Sequence, residues 1–197
     1  MSIMARLRQE TQLCHEQVEK LLYAEQIQNG TLTLEQYIQL LYVNLSFHQP
    51  LEEAIGAADP LFFAGYTPDQ RSKAPLIRQD LQRLRLPIPP TQQQYFQGWS
   101  NWQLLGAVYV AEGSTLGGRV ISKYLQKNAL VSHTAGQSCF YAGYGDQTGA
   151  MWKTFCTYLP QQAGTEEDQI VQGAINAFQL YERIVYSLSV TAGPVAA

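Results

Sequence analysis

His15 is the residue of this chain whose type and neighbours best suit metal binding. Arg8 lies seven residues before it and Glu19 four residues after it, so a helix would place all three on one side. A neutral imidazole can ligate a metal through one nitrogen while a carboxylate one turn away orients the ring, and Arg8 would pair with a carboxylate at the ligand's rim. The alternative is a histidine that only packs and hydrogen-bonds inside the protein. His48, near a helix end, and His133, in a loop, are weaker candidates.

Residues 109–120 place Gly113, Gly117 and Gly118 in a stretch that otherwise reads as a helix. Glycine inside a helix costs roughly 1 kcal/mol relative to alanine, so three within six residues indicate that something approaches the backbone closely. Two explanations stay open, a helix lying flat over a planar cofactor and close packing against another helix. A phosphate-binding loop is disfavoured, because the segment lacks a Gly-Lys-Ser/Thr ending and follows no predicted strand. Ser114 would hold water in a pocket, or bond back to the preceding turn.

The elements that must position these residues are helices. Apolar residues recur at three- and four-residue spacing, a capping box starts at Thr33, and no convincing strand-like alternation occurs. The sequence therefore predicts an all-α, single-domain, multi-helix protein over residues 1–190, followed by a flexible tail at 191–197. Residues 132–146 should form a loop. The predicted helices are 3–23, 34 to at least 51, 70–85, 91–97, 102–128, 147–161 and 165–190.

Composition narrows the classes of partner. The chain has 197 residues, is 46% hydrophobic and carries a net charge of −3. We therefore expect no nucleic-acid partner, and the apolar runs are far shorter than the ~20 residues that span a bilayer, so we expect no membrane partner either. Cys14, Cys139 and Cys156 are not spaced as metal ligands. With no secretory h-region near the first residue, a cytoplasmic location is expected.

Two of these segments resemble the haem oxygenase family. Residues 7–19, Leu-Arg-Gln-Glu-Thr-Gln-Leu-Cys-His-Glu-Gln-Val-Glu, resemble the family's proximal helix, in which the histidine ligates haem iron. Residues 109–118, Tyr-Val-Ala-Glu-Gly-Ser-Thr-Leu-Gly-Gly, resemble its distal helix, whose glycines lie against the haem. The motif Glu-Gly-Ser-x-Leu-Gly is similar to that of the bacterial branch of the family, including members associated with bacteriophytochromes. Residues 71–81 and 178–183 also resemble corresponding helices, so the likeness covers most of the chain.

The resemblance implies a haem oxygenase-like fold with haem between a proximal and a distal helix. It makes His15 the iron ligand and Glu19 the partner of that ligand. Arg8, and less directly Lys153, would contact the haem propionates. Ser114 stands where mammalian members carry an aspartate that organises distal water. Gly113, Gly117 and Gly118 of the distal helix would contact the haem. Gly113, Ser114 and Gly117 would form the catalytic wall.

The implied reaction is oxidative cleavage of haem to biliverdin, with release of carbon monoxide and ferrous iron. Haem would be both cofactor and substrate, and O2 and external electrons would be consumed. A reductase or ferredoxin-type protein would supply the electrons, and a phytochrome is a possible biliverdin acceptor. One alternative is a haem-sequestering protein of the same fold with little turnover. Another is a different enzyme on the same helical scaffold, for example one acting on a thiamine-related molecule.

Overall fold

A computed structural model describes residues 1–191, and residues 192–197 lie outside the described part of the chain. The described residues contain α-helices and short 3-10 turns but no strand, which confirms the predicted all-α class. Of the predicted tail, Thr191 ends the last helix and the rest falls outside the described residues. The ten helices, numbered α1 to α10 in chain order, are Ile3–Glu10, Gln12–Leu21, Ala24–Gln28, Leu34–Ala57, Pro60–Phe63, Ala74–Arg83, Asn101–Lys127, Cys139–Ala142, Thr148–Ala163 and Glu167–Thr191.

The predicted helix 3–23 is divided into α1 and α2 at Thr11. The backbone angles of Thr11, φ −103° and ψ 0°, depart from those of a regular α-helix, and its hydroxyl donates to the carbonyl of Leu7 at 2.7 Å. A hydroxyl that bonds back to the preceding turn commonly bends a helix. Thr11 nevertheless takes part in the backbone hydrogen bonding of both helices, because its amide donates to the carbonyl of Leu7 at 3.1 Å and its carbonyl accepts from the amide of His15 at 2.9 Å. The two helices therefore abut.

The long helix α7 begins at a capping box. Ser100 accepts a hydrogen bond from the amide of Gln103 at 3.2 Å, and the Gln103 side chain accepts one from the amide of Ser100 at 2.9 Å. The capping box predicted at Thr33 is also present, and it starts α4. Pro50 lies inside α4, which continues to Ala57. Both helices are therefore started by local sequence and cross the core as single elements.

Close helix packing occurs where α7 crosses α10, at Gly106 and Gly173. A Cβ on Gly106 would lie 2.1 Å from the carbonyl oxygen of Ile170, and a Cβ on Gly173 would lie 2.2 Å from that of Gln103. Both distances are impossible for a real side chain, so these two positions require glycine. The sequence analysis did not single out either residue.

The predicted loop 132–146 is held in place by a buried carboxylate of α6. Asp80 accepts hydrogen bonds from the hydroxyl of Ser138 at 2.6 Å and from the amides of Cys139 and Phe140 at 2.8 and 3.0 Å. These bonds anchor the start of the short helix α8, within which Tyr141 is buried. The loop is therefore ordered by tertiary contacts and forms one wall of the site.

Within residues 1–191, no helix combines the length and the apolar character that crossing a membrane requires.

Candidate functional site

A cavity of about 880 Å³ lies between α2 and α7. Its volume falls in the ~300–1,000 Å³ range of small-molecule and cofactor pockets. Most of the predicted site residues line it together, although they are about 100 residues apart in the chain. They are Arg8, His15, Glu19, Gly113, Ser114, Gly117 and Gly118.

The imidazole of His15 lies in the cavity wall with both ring nitrogens available. Its side chain is 55% exposed, and its Nε2 lies 3.6 Å from Oε1 of Glu19, which is too long for a hydrogen bond. The ring meets Phe178 edge-on, with 5.8 Å between centroids. Among the described residues nothing else satisfies the imidazole. This geometry does not support the packed, hydrogen-bonded alternative, and it leaves His15 able to bind a ligand in the cavity.

The described residues contain no cluster of three or more His, Cys, Asp or Glu side chains that could hold a metal ion. A single imidazole facing a large cavity instead suits a metal that arrives with most of its ligands already in place, as in a metalloporphyrin.

The three glycines of the 109–120 segment are not used for helix packing. A Cβ on Gly117 would meet nothing within 4 Å, and one on Gly113 would come no closer than 3.9 Å to the ring of Trp152. A Cβ on Gly118 would lie 3.6 Å from the carbonyl oxygen of Tyr141, an ordinary contact. Since nothing in the protein crowds these positions, helix packing does not explain why they are glycine. The explanation that remains is close approach of a ligand in the cavity.

The structure gives Ser114 the predicted bond to the preceding turn, and it places the residue in the cavity wall. Its side chain lines the cavity, and its hydroxyl donates to the carbonyl of Ala111 at 2.8 Å. The proton of the hydroxyl is therefore committed to the helix, and the oxygen has only acceptor capacity left for a molecule in the cavity.

The two cations predicted to contact the ligand's carboxylates are placed differently. Arg8 is exposed and lines the cavity. Burial raises the pKa of the Tyr109 phenol, and the positive charge of the nearby Arg8 partly offsets this rise. Lys153 is exposed on α9 and is not one of the residues that line the cavity. The structure therefore brings Arg8 to the site and leaves Lys153 outside its wall.

A polar group at the inner end of the cavity was missed by the sequence analysis. Asn44 and Tyr181 line the cavity there. The hydroxyl of Tyr181 donates to Oδ1 of Asn44 at 3.2 Å and lies 3.4 Å from Nε2 of His48. Burial, reinforced by the charge of Lys73, lowers the pKa of His48 well below 6.5, so this imidazole is neutral. The available signal was the four-residue spacing of Asn44 and His48, which places both on one face of α4.

A second missed group holds α7 immediately before Gly113. Glu112 is fully buried and forms ion pairs of 2.7 Å with both Arg71 and Lys73. It also accepts hydrogen bonds from the hydroxyls of Tyr144 at 2.8 Å and Tyr66 at 3.1 Å. A buried carboxylate requires this degree of pairing. The signal was a lone glutamate following the apolar run 104–111.

Three comparisons with known proteins agree with this arrangement. A family model described as "Heme oxygenase" matches residues 1–187. A protein named heme oxygenase from Xanthomonas campestris is 33% identical over 97 residues, which is 47% of this chain and 53% of that protein. The alignment thus spans about half the length of this curated relative.

Solved structures show the same fold at low sequence identity. The NO- and CO-bound heme oxygenase of Neisseria meningitidis superposes with a TM-score of 0.77 at 22% identity, over 100% of this chain and 96% of that one. The heme oxygenase of Leptospira interrogans gives 0.78 at 18% identity, over 95% and 100% of the two chains. Heme oxygenase-1 of the cyanobacterium Synechocystis, solved in complex with heme, gives 0.71 at 17% identity, over 97% and 94%.

Proposed function

Because the chain belongs to the haem oxygenase family, we propose that it cleaves haem oxidatively to biliverdin, releasing carbon monoxide and ferrous iron. The observation that carries this proposal is the arrangement of His15 and the glycine segment on two walls of one cavity. The residues present fit haem, since they supply an unpartnered imidazole and, at Gly117, backbone that no side chain covers. A metalloporphyrin would need a donor atom for its metal and a wall that its flat face can approach closely.

We propose that His15 ligates the haem iron and that Glu19 orients its ring. The 3.6 Å separation between them would shorten to a hydrogen bond once the ring is fixed, because a ligating histidine holds its second nitrogen against a partner. Gly113, Gly117 and Gly118 would form the opposite wall. Arg8, at the mouth, would pair with a propionate.

Lys153 is proposed as a second propionate contact, and its support comes from the sequence resemblance alone. Because Lys153 is exposed on α9, next to the cavity-lining Trp152, its long side chain would have to bend over the rim to reach a propionate.

When bound, haem supplies both the iron that activates dioxygen and the ring that is oxidised. The chain's own residues contribute shape and proton supply. The wall at Gly113, Ser114 and Gly117 presents no acidic side chain. The hydroxyl of Ser114 donates its hydrogen bond to the carbonyl of Ala111, and Glu112 is fully paired behind the wall. Protons would therefore reach the cavity through water and backbone groups at this wall.

The activity needs O2 and electrons from outside the chain. We propose that a reductase or a ferredoxin-type protein supplies the electrons, and that a biliverdin acceptor such as a phytochrome takes the product. A cytoplasmic location accords with such partners and with three cysteines that are free in the described structure.

The test is a haem titration followed by a single-turnover assay. Purified protein should bind ferric haem one to one with a histidine-type absorption spectrum. Addition of ferredoxin, its reductase and NADPH in air should then produce biliverdin, identified by absorbance and chromatography. His15→Ala should lose the histidine-type spectrum, and the matched control His133→Ala, at an exposed loop histidine, should keep it. Haem binding without biliverdin would instead support the sequestering function, and an unchanged His15→Ala spectrum would refute the ligand assignment.

A further inference from the structure

Aromatic rings run without a break from the cavity wall into the core. Trp152 lines the cavity and is the nearest side chain to Gly113. Its ring lies 5.8 Å from that of Phe155, which lies 6.1 Å from Tyr66. These are ordinary packing distances between ring centroids. They connect an oxidisable indole at the proposed haem site with a buried phenol that does not line the cavity.

The same chain of rings continues from Tyr66 to the half-buried Trp102. The Tyr66 ring lies 6.3 Å from that of Phe63, and Phe63 lies 5.0 Å from Phe62. Phe62 meets Trp102 edge-on at 5.7 Å. Trp102 is only half-buried, so its indole can be reached by a solute. Two tryptophans, one in the cavity wall and one at the surface, are thus linked through Tyr66.

Tyr66 also has a base for its proton. Its hydroxyl donates to Oε1 of Glu112, and the hydroxyl of the cavity-lining Tyr144 donates to the same oxygen. The guanidinium of Arg71 lies 5.1 Å from the Tyr66 ring centroid. A cation so close to the ring disfavours a second positive charge on it. Tyr66 can therefore lose an electron readily only if its proton leaves at the same time, and Glu112 is positioned to accept it.

We propose that Tyr66 is an electron relay that carries oxidising equivalents away from the haem pocket when a hydroperoxide reacts there without a reductant. This inference rests on the proposed haem-binding function. The hydroperoxide takes up two electrons and two protons, its O–O bond breaks, and an alcohol and water form. Tyr66 and Tyr144 each lose one electron and one proton to become neutral phenoxyl radicals, so electrons and protons balance. Each proton passes through Glu112, and a soluble reductant such as ascorbate later restores both tyrosines through Trp102.

The experiment uses haem-loaded protein in the ferric state, mixed with tert-butyl hydroperoxide and frozen within milliseconds. Electron paramagnetic resonance should detect a tyrosyl radical whose spectrum narrows when the tyrosines are ring-deuterated. Because Tyr144 supplies the second electron, Tyr66→Phe should reduce the radical yield about twofold and increase oxidation of Trp152, measured by peptide mass spectrometry. The matched control is Tyr37→Phe, a tyrosine 1% exposed in the other hydrophobic cluster, which should behave as the parent protein. Phe155→Leu, which leaves every phenol in place, should also lower the yield.

Each outcome decides the proposal. An undiminished signal in Tyr66→Phe, or haem binding with no tyrosyl radical in the parent protein, would overturn the relay while leaving the proposed function intact. A protein that binds no haem would overturn both. A signal about half as strong in Tyr66→Phe and unchanged in Tyr37→Phe, together with increased Trp152 oxidation, would support the relay.

Discussion

Gly117→Ala should stabilise the ligand-free protein. The residue lies inside α7, and a Cβ there would meet nothing within 4 Å. Replacing glycine by alanine at an uncrowded helix position gains about 0.5–1 kcal/mol, because glycine loses more backbone freedom on folding. For a chain of this size 1 kcal/mol corresponds to roughly 2–4 °C in Tm. We therefore expect a Tm up to about 4 °C higher.

Haem binding should change in the opposite direction. If haem lies against the backbone at Gly117, an added side chain occupies part of its space. Overpacking of a fitted site costs about 1–3 kcal/mol, which is roughly a five- to 150-fold higher Kd. Gly117→Leu should approach the upper limit and Gly117→Ala the lower.

Gly106→Ala is the matched control on the same helix. Its Cβ would lie 2.1 Å from the carbonyl oxygen of Ile170, so α7 and α10 must separate to admit it. The ligand-free protein should lose about 1–3 kcal/mol or more. One helix would thus contain a glycine whose removal stabilises the protein and another whose removal destabilises it.

The assays are urea and thermal denaturation of the ligand-free variants and absorbance titration with haem. A destabilised Gly117→Ala would show that the position is crowded. Gly117→Leu with parental haem affinity would refute the placement of haem against this segment.

Three further substitutions test the polar groups around the cavity. Ser114→Ala should lower the turnover to biliverdin by less than about fivefold, because its hydroxyl already donates to Ala111; complete loss would show that the hydroxyl is essential. Glu112→Gln should cost about 3–5 kcal/mol of unfolding free energy in urea, since it leaves two buried cations without a counter-charge, whereas the exposed Glu25→Gln should cost almost nothing; equal costs would contradict the buried pairing. His48 is neutral in the fold because burial lowers its pKa, while the unfolded chain binds a proton below about pH 6.5. Stability should therefore be lost as pH falls below that value, by up to about 1.4 kcal/mol per pH unit, and His48→Gln should show a shallower slope; an unchanged slope would exclude His48 as its source.

Local sequence was sufficient to predict most of the longer helices. The capping box at Thr33 starts a helix by a bond of three-residue range, so it can be read without tertiary information. The three- and four-residue spacing of apolar residues likewise predicted the helices that carry His15 and the glycine segment. The predicted helix over 3–23 was wrong in two respects. It is divided at Thr11, which depends on which of two hydrogen-bonding options the hydroxyl takes, and α2 ends at Leu21, before Tyr23 with its φ of 61°.

The polar groups that the sequence analysis missed depend on long-range contacts. Glu112 takes its partners from residues about 30 to 46 positions away, and His48 meets Tyr181 across 133 positions. No periodicity connects such residues. His48 and Tyr181 meet where α4 packs against α10, and the partners of Glu112 come from the segments between α5 and α6 and between α8 and α9.

By itself, then, the sequence determined the helices, the histidine on one of them and the unusual glycines on another. It left open why each position is glycine. A glycine that lets a neighbouring helix pack closely and one that lets a ligand approach look the same in the local sequence. The tertiary structure separates them. At Gly106 and Gly173 the backbone of a neighbouring helix occupies the space that a side chain would need, whereas Gly117 faces open space. The physical reason is that close packing is a relation between two surfaces, and one chain segment specifies only one of them.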